Sequence, residues 1–264
     1  MTFKNLIILA LLSSFVLAQA TTEETKIGID DSFLGQHVDL DLTFTDEKGE
    51  TTTLREAAEG KPIVLALVYY NCTSICNPFL NAIVDVVNQS PSAFLPGDEY
   101  NIVAVSFDPE ESSELAALKK ESYYNMFELN NPLTPNSFRF LTGDSANIAR
   151  LTESVGFLYQ EDGMGGYSHA SSIIVLSPSG IISRYIRGLS FLPVELMVSV
   201  TNAMEGKWAP TIKKIVQFCF TEEPEGRGFY FNFLKVTGIL ILLTIAITTL
   251  VLTILVKRKE PAQV

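Results

Sequence analysis

Continuous apolar runs alternate along the chain with amphipathic segments, and this alternation predicts strands followed by helices. Residues 62–70 (PIVLALVYY) and 100–109 (YNIVAVSFDP) are almost entirely apolar, which is typical of strands that are covered on both faces. A shorter strand is predicted at 138–143. Helical spacing of apolar and polar positions predicts helices at 74–89, 111–127, 144–157 and 192–205.

Two β-hairpins complete the pattern. Apolar and polar residues alternate at the start of residues 37–54, and residues 46–49 make the turn. Residues 171–188 form a second hairpin that turns at 178–180. Strands that alternate with helices and close with a hairpin and a helix imply an α/β fold, with a mixed sheet flanked by helices. In such a sheet, reactive groups lie where the carboxyl ends of strands lead into helices.

Both ends of the chain carry targeting signals. Residues 1–20 contain one lysine, an apolar core and a final Ala18-Gln19-Ala20, which is the pattern of a cleavable signal peptide. Residues 236–256 contain no charged residue, and a basic cluster follows them at once. They predict a transmembrane helix whose basic end stays in the cytoplasm.

These signals divide the chain into a signal peptide (1–20), an exported domain (21–230), a transmembrane helix (236–256) and a cytoplasmic tail (257–264). We expect a single-pass protein of the inner (cytoplasmic) membrane, with its main domain on the periplasmic side. The signal and the tail carry four basic residues and one acidic residue, so without them the formal charge moves from −11 to −14. This acidity argues against nucleic acid or anionic lipid as a partner.

Two of the three cysteines, Cys72 and Cys76, lie four residues apart at the turn between a predicted strand and a predicted helix. A disulfide staple, a redox pair and two sides of a metal site all fit this spacing. The staple is disfavoured, because a bridge across so short a loop constrains the unfolded chain little. Positions i and i+4 share one helix face, so both sulfurs can face one point. The N-terminus of a helix also favours the thiolate form of a cysteine.

A metal site built on these cysteines needs a third ligand. Two thiolates make a soft site, which selects Cu(I) or zinc. The chain has only two histidines. His169 follows a glycine-rich stretch at the entry to a predicted strand, whereas His37 opens the first hairpin. His169 is therefore the candidate ligand, and the alternative is an ordinary loop histidine.

Four segments, in this order, carry a family resemblance: YYNCTSIC, VAVSFDPEESSELAALKKESYY, FRFLTGDSANIARLTESVGF and YSHASSIIVLSPSGIISRYIRG. They resemble the SCO/SenC family of copper-binding thioredoxin-like proteins, which help to assemble the CuA centre of cytochrome c oxidase. The resemblance covers nearly the whole exported domain. A Cys-x-x-x-Cys motif with a histidine about ninety residues later, ahead of a hairpin, is a specific constellation.

The resemblance implies a thioredoxin-like fold that binds copper, as Cu(I) or Cu(II), at the positions of Cys72, Cys76 and His169. It implies a membrane-tethered metallochaperone whose partners are the CuA-bearing subunit of cytochrome c oxidase and a copper donor of unknown identity. Asp108, in VSFDPE, is expected either to orient the site or to serve a turn or a helix cap.

The sequence departs from the family at Thr73 and Asn77, which stand where a proline usually follows each cysteine. This difference bears on the stiffness of the loop and on the pKa values of the thiols. Many relatives carry an N-terminal membrane helix, and the arrangement here is that of a bacterial subgroup with a C-terminal helix. Cys219 is interpreted as a buried or interface thiol, with a redox thiol, a metal ligand or an intermolecular disulfide as alternatives.

The alternative function is a thiol–disulfide reductase that keeps the cysteines of the oxidase subunit reduced. It needs Cys72 and Cys76 as a redox pair but does not need His169. The three residues between the cysteines, instead of two, count against it. Peroxide reduction is disfavoured because Tyr69 stands where such enzymes usually have threonine, and a zinc enzyme is disfavoured because no nearby acid clearly serves as its base.

Overall fold

The computed structural model describes residues 27–72, 74–129, 133–209, 220–222, 229–231, 241, 243–245 and 247–249. Contacts between residues divide the chain into two units, Met1–Trp208 and Ala209–Val264. In the second unit, Phe220–Glu222 pairs antiparallel with Phe229–Phe231. The first unit contains the five-stranded sheet and the three candidate metal ligands.

The elements of the first unit follow the predicted alternation of strands and helices. The strands are β1 (Gly28–Ile29), β2 (Thr43–Thr45), β3 (Thr51–Thr53), β4 (Ile63–Val68), β5 (Asn101–Ser106), β6 (Phe138–Leu141), β7 (Phe157–Leu158), β8 (Gln160–Glu161), β9 (Tyr167–Ser168), β10 (Ser172–Leu176) and β11 (Ile182–Arg187). The α-helices are α1 (Leu54–Ala58), α2 (Cys76–Asn88), α3 (Ser113–Tyr124), α4 (Ser145–Ser154) and α5 (Pro193–Met204), and Asp31–Phe33 forms a 3-10 helix.

A five-stranded sheet in the order β11-β10-β4-β5-β6 forms the centre of this unit. β4 is parallel to β5, and β5 is parallel to β6, whereas β10 is antiparallel to both β4 and β11. Every residue of β4 and of β5 is buried, so both faces of the sheet are covered. The prediction of a mixed α/β sheet is confirmed.

The first predicted hairpin is confirmed in its turn, but its strands are shorter than the pattern indicates. β2 and β3 pair antiparallel, and the Asp46 carboxylate accepts the backbone N–H groups of Lys48 and Glu50 in the turn. The alternating residues Val38, Leu40 and Leu42 are buried. They extend no hairpin strand, because the backbone N–H of Val38 bonds to the Gly180 carbonyl at the turn of the β10–β11 hairpin.

Two of the predicted helices begin directly after a capping side chain. The side chain of Ser112 caps α3, and that of Asp144 caps α4. α2 begins at Cys76, two residues later than predicted, and has no side-chain cap. The short helix α1 was not predicted. It is held by a capping box in which Thr53 and Glu56 bond reciprocally to each other's backbone N–H.

Several predictions about the ends of the chain concern residues outside the described part. The signal peptide at 1–20, Cys219, the tail at 257–264 and most of 236–256 lie there. Among the residues that are described, no helix combines the length and the apolar character needed to cross a membrane.

A buried ion-pair cluster ties the hairpin turn to β6. The Arg139 guanidinium donates to the Asp46 carboxylate at 2.7 Å and to the Glu47 carboxylate at 3.1 Å, and all three side chains are largely buried. Because Arg139→Ala leaves two buried carboxylates without this partner, we expect the free energy of unfolding to fall by about 3 kcal/mol. Denaturant unfolding of the full-length chain in detergent measures this change.

Arg150→Ala is the matched control for this prediction. Arg150 also pairs with a carboxylate, that of Asp39 at 2.9 Å, but both side chains are solvent-exposed. We expect a loss of less than about 1 kcal/mol. Equal losses in the two variants would contradict the importance of the buried cluster.

Candidate metal centre

The sheet topology brings distant parts of the chain to one edge. β10 is antiparallel to β4 with Ile173 opposite Ala66, so the start of β10 lies beside the end of β4. Cys72 comes four residues after β4 ends, and His169 comes three residues before β10 begins. Two segments that lie 93 residues apart in the sequence therefore meet at the carboxyl end of a parallel strand.

The three predicted ligands lie together in the structure. The ligand atoms of Cys72, Cys76 and His169 all lie within 4.8 Å of one another. The Cys76 sulfur is 3.3 Å from His169 Nε2, and the Cys76 backbone N–H donates to the Cys72 sulfur at 3.4 Å. Cys72 is 3% exposed and Cys76 is 1% exposed. Among the described residues this is the one such cluster of potential metal ligands.

The His169 ring is oriented so that one nitrogen is available as a ligand. Its Nδ1 lies 3.0 Å from the Ala170 carbonyl, which can only accept, so the ring proton is assigned to Nδ1. The unprotonated Nε2 then faces the Cys76 sulfur. Burial lowers the pKa of His169, although the bond to Ala170 partly offsets this effect. The imidazole is therefore neutral at neutral pH, which is the form that binds metals.

Aromatic rings enclose the imidazole. Phe107, Tyr69 and Phe157 lie with their ring centroids 5.1, 5.9 and 6.0 Å from that of His169. Phe107 and Phe157 are buried in the core, so they hold the ring in place and keep water away from this side of the site. These apolar rings lower the polarity of the site and its access to water, which strengthens the bonds between a metal and the thiolates.

The two thiols are not equivalent. Burial raises the pKa of Cys76 strongly, and the neighbouring Cys72 adds to this effect. Burial also acts to raise the pKa of Cys72, but hydrogen bonds from the Cys76 thiol, the Cys76 backbone N–H and the Tyr69 hydroxyl outweigh it. The pKa of Cys72 consequently lies below its usual value. Cys72 therefore loses its proton at a lower pH than Cys76, and it is the better nucleophile and first metal ligand of the two.

Tyr69 is a site residue that the sequence did not identify as one. Burial and the neighbouring Cys72 thiolate raise the pKa of Tyr69 to about 12, so its hydroxyl stays protonated and donates to that sulfur. Its position directly after the apolar run of β4 is the only sequence signal that marks it. On the sequence alone, Tyr69 serves only as an argument against peroxide reduction, because such enzymes usually have threonine at this position.

The remaining candidates lie away from the sulfur atoms. The Asp108 carboxylate accepts the Glu110 backbone N–H at 3.0 Å, which confirms the turn role. Its charge adds to burial in raising the pKa of Tyr167 to about 12, and the Tyr167 ring lies 5.3 Å from that of Tyr69. His37 is exposed and bridges to Ile181, at the opposite end of the β10–β11 hairpin from His169.

The donor set determines what this arrangement can do. Two sulfurs and one imidazole nitrogen form a soft site that suits Cu(I) or zinc better than the hard cations calcium and magnesium. Three protein donors leave a fourth position free for an incoming ligand. The same pair of thiols, which ionise at different pH values, also suits thiol–disulfide exchange.

Comparison with known proteins gives a family and a fold. The family model described as SCO1/SenC matches residues 31–205. No curated protein matches the chain. A solved structure from Aquifex aeolicus VF5, assigned to electron transfer, is 22% identical with a TM-score of 0.57, over 65% of this chain and 95% of that one.

Two further solved structures are similar. A second Aquifex aeolicus VF5 protein, assigned to electron transport, is 21% identical with a TM-score of 0.53, over 65% of this chain and 99% of that one. Arabidopsis thaliana ScoI, solved with copper bound, is 17% identical with a TM-score of 0.49, over 65% of this chain and 98% of that one. The two Aquifex structures share the mixed α/β thioredoxin-like fold of this chain.

The unequal thiols predict an order of alkylation. In the reduced, metal-free chain, iodoacetamide at pH 8 should modify Cys72 before Cys76, because the lowered pKa of Cys72 gives it the larger thiolate fraction. The rate at Cys72 should reach half its maximum at a lower pH than the rate at Cys76. Mass-spectrometric peptide mapping measures both rates.

Variants that lack one cysteine of the pair complete this test. In Cys76→Ala the apparent pKa of Cys72 should rise, because the Cys76 thiol no longer donates a hydrogen bond to it. Cys72 in Cys76→Ala should still react before Cys76 in Cys72→Ala. Faster modification of Cys76 than of Cys72 would contradict the assignment of the thiolate.

Proposed function

The chain belongs to the SCO1/SenC family, and we propose that it is a membrane-tethered copper metallochaperone. It binds one copper ion through Cys72, Cys76 and His169 and delivers it to the CuA site of cytochrome c oxidase during assembly. The observation that carries this proposal is the cluster of two sulfurs and one imidazole nitrogen within 4.8 Å.

The chemistry of the donors supports copper as the cargo. Thiolates favour Cu(I) over hard cations, and both cysteines are buried. Loading begins at the Cys72 thiolate, which is the thiol with the lowered pKa. Binding at Cys76 then releases its proton, so copper affinity rises with pH over the range in which that proton must be displaced.

Release to an acceptor needs a path for ligand exchange. With three protein donors, an incoming thiolate of the acceptor can take the fourth position before the chain's own ligands leave. The acceptor in this proposal is the CuA-bearing subunit of cytochrome c oxidase. The copper donor upstream of the chain is a separate partner whose identity is open.

The proposed location follows from the ends of the sequence. A cleaved signal at 1–20 exports the main domain, and a helix at 236–256 anchors it in the inner membrane with the tail at 257–264 in the cytoplasm. This tether would confine the donor of copper to the membrane plane in which its acceptor lies. The acidic exported domain suits a basic docking surface on that acceptor.

The topology has a direct test. A reporter that is active only in the cytoplasm, fused after Val264, should be active, and one active only after export should be silent. The same pair of reporters fused after Trp208 should give the reverse result, because that position precedes the proposed membrane helix. Export of the Val264 fusion would exclude this topology.

Metal binding provides the central test of the site. Reduced full-length chain, titrated anaerobically with Cu(I) against a chromogenic chelator, should bind one copper tightly. His169→Ala should weaken the affinity at least about tenfold, because it removes one of three ligands. His37→Ala is the matched control and should leave the affinity unchanged, since His37 is exposed and distant. Cys219→Ser tests whether the third cysteine contributes.

Equal affinity in His169→Ala and His37→Ala would remove His169 from the site. The chain would then be a dithiol protein first, and the alternative function would take precedence.

The alternative is a thiol–disulfide reductase that keeps the acceptor's cysteines reduced. The unequal thiols favour it as a second candidate. Cys72, which ionises at the lower pH, suits attack on a disulfide, and Cys76 can then resolve the mixed disulfide. This activity requires both cysteines and tolerates the loss of His169. The two roles are compatible, because cysteines of a copper acceptor must be reduced before metal enters.

A further inference from the structure

The loop that carries the two cysteines contains no residue that restricts its own backbone. Residues 71–77 read NCTSICN, without proline or glycine, and the first proline follows at 78. α2 also begins at Cys76 without a side-chain cap. The positions of the two sulfurs therefore depend on hydrogen bonds that hold the loop at its two ends.

Glu111 provides such contacts at the start of the loop. Its carboxylate accepts the backbone N–H of Tyr70 and that of Asn71, both at 2.6 Å, one through each oxygen. It also accepts the Ser106 hydroxyl at 2.6 Å. Glu111 is buried, and short bonds to a buried carboxylate are among the stronger hydrogen bonds in proteins. They fix the backbone immediately before Cys72.

Asn77 provides the contacts at the other end. Its side-chain amide donates to the Cys72 carbonyl at 3.3 Å. Its side-chain oxygen accepts Lys119 Nζ at 3.2 Å and the Tyr123 hydroxyl at 3.0 Å. The Lys119 ammonium can only donate, so it must face the oxygen, and this settles which end of the Asn77 amide faces Cys72.

Both anchors lead to the same helix. Glu111 directly precedes Ser112, the cap of α3, and Lys119 and Tyr123 lie within α3. Tyr123 is buried and stacks on Phe140 of β6, so α3 is itself held against the sheet. The cysteine loop is thus bound to α3 on both sides of Cys72, at positions 70–71 and at position 77.

We propose that Glu111 and Asn77 are positioning residues that hold Cys72 and Cys76 at the separation needed to bind a metal. They act on the ligands through the loop backbone and do not touch the metal. For its copper readout this inference rests on the proposed function. The contacts with α3 order the loop before the metal binds, so little binding free energy is lost to ordering it.

The competing explanation is that Glu111 only stabilises the fold. Replacing it by alanine leaves the buried Tyr70 N–H and the partly buried Asn71 N–H without their acceptor, which lowers the stability of the fold. The two explanations differ in the metal affinity of the folded chain. A purely structural role lowers the melting temperature and leaves that affinity unchanged, whereas a positioning role lowers the affinity of molecules that are still folded.

The first experiment compares Glu111→Ala with Glu110→Ala in the reduced full-length chain. Glu110 is the neighbouring carboxylate and is exposed, so its loss removes the same charge without touching the loop. We expect Cu(I) affinity, measured against a chelator below the melting temperature, to fall about tenfold or more in Glu111→Ala and to stay unchanged in Glu110→Ala. Glu111→Asp, whose carboxylate is one methylene shorter, should lie between them.

The second experiment avoids the loss of a buried acceptor. Asn77→Asp keeps an oxygen for Lys119 and Tyr123 but places a second oxygen against the Cys72 carbonyl, so only the contact to the loop is broken. Asn88→Asp makes the same change at the far end of α2, where the amide donates to the Met126 carbonyl. We expect a loss of about tenfold in Cu(I) affinity for Asn77→Asp alone. This pair decides the question if Glu111→Ala does not fold.

A copper-independent measurement separates this inference from the proposed function. The Cys72–Cys76 disulfide, equilibrated with dithiothreitol, should be reduced more easily in Glu111→Ala and Asn77→Asp, because a looser loop lowers the effective concentration of one thiol near the other. A tenfold change in this equilibrium corresponds to about 30 mV. If the wild type does not bind copper, the proposed function fails. The reduction potentials of the Cys72–Cys76 disulfide then test the inference by themselves.

Wild-type affinities and potentials in both Glu111→Ala and Asn77→Asp would overturn the proposal, even with lowered melting temperatures. A change in Cu(I) affinity or in reduction potential that occurs in these two variants, and not in Glu110→Ala or Asn88→Asp, would support it.

Discussion

The antiparallel pairing of β10 with β4 is the constraint on which the candidate site depends. The carboxyl end of β4 leads into the cysteine loop, and β10 begins at the same edge of the sheet, just after His169. No contact made by the cysteines or the histidine creates this proximity. It is a consequence of main-chain register in a core where all residues of both strands are buried, so the stability of the sheet also fixes the geometry of the ligands.

Within this framework, aromatic rings hold His169 in place, and the two thiols differ in their pKa values. Aromatic rings enclose His169 and leave its Nε2 facing the sulfurs, while hydrogen bonds favour the thiolate at Cys72 and burial favours the thiol at Cys76. Such a site need not reorganise to receive a soft cation. The same asymmetry suits thiol exchange, which is why metal transport and disulfide reduction are difficult to separate from the geometry of the thiols alone. His169 separates them, because only metal binding uses it.

The sequence predicted most of this framework but not what positions it. The apolar runs at 62–70 and 100–109 became β4 and β5. The two sulfurs lie close together, but the i, i+4 helix-face argument for this is wrong, because the helix begins only at Cys76 and Cys72 lies in the loop before it. His169 was identified because the chain offers few other ligands. α1 was missed because five residues are too few for a helical period. Glu111 was missed because its bonds to Tyr70 and Asn71 span about forty residues, and no local pattern encodes a contact of that kind.

The most direct test of the account is the identity of the atoms around the bound metal. X-ray absorption at the copper K-edge of the Cu(I)-loaded full-length chain reports them without assumptions about affinity. The account predicts two sulfur neighbours and one imidazole nitrogen, with the nitrogen lost in His169→Ala. A shell of sulfur alone in the wild type, or an imidazole signal that persists in His169→Ala, would contradict the site described here.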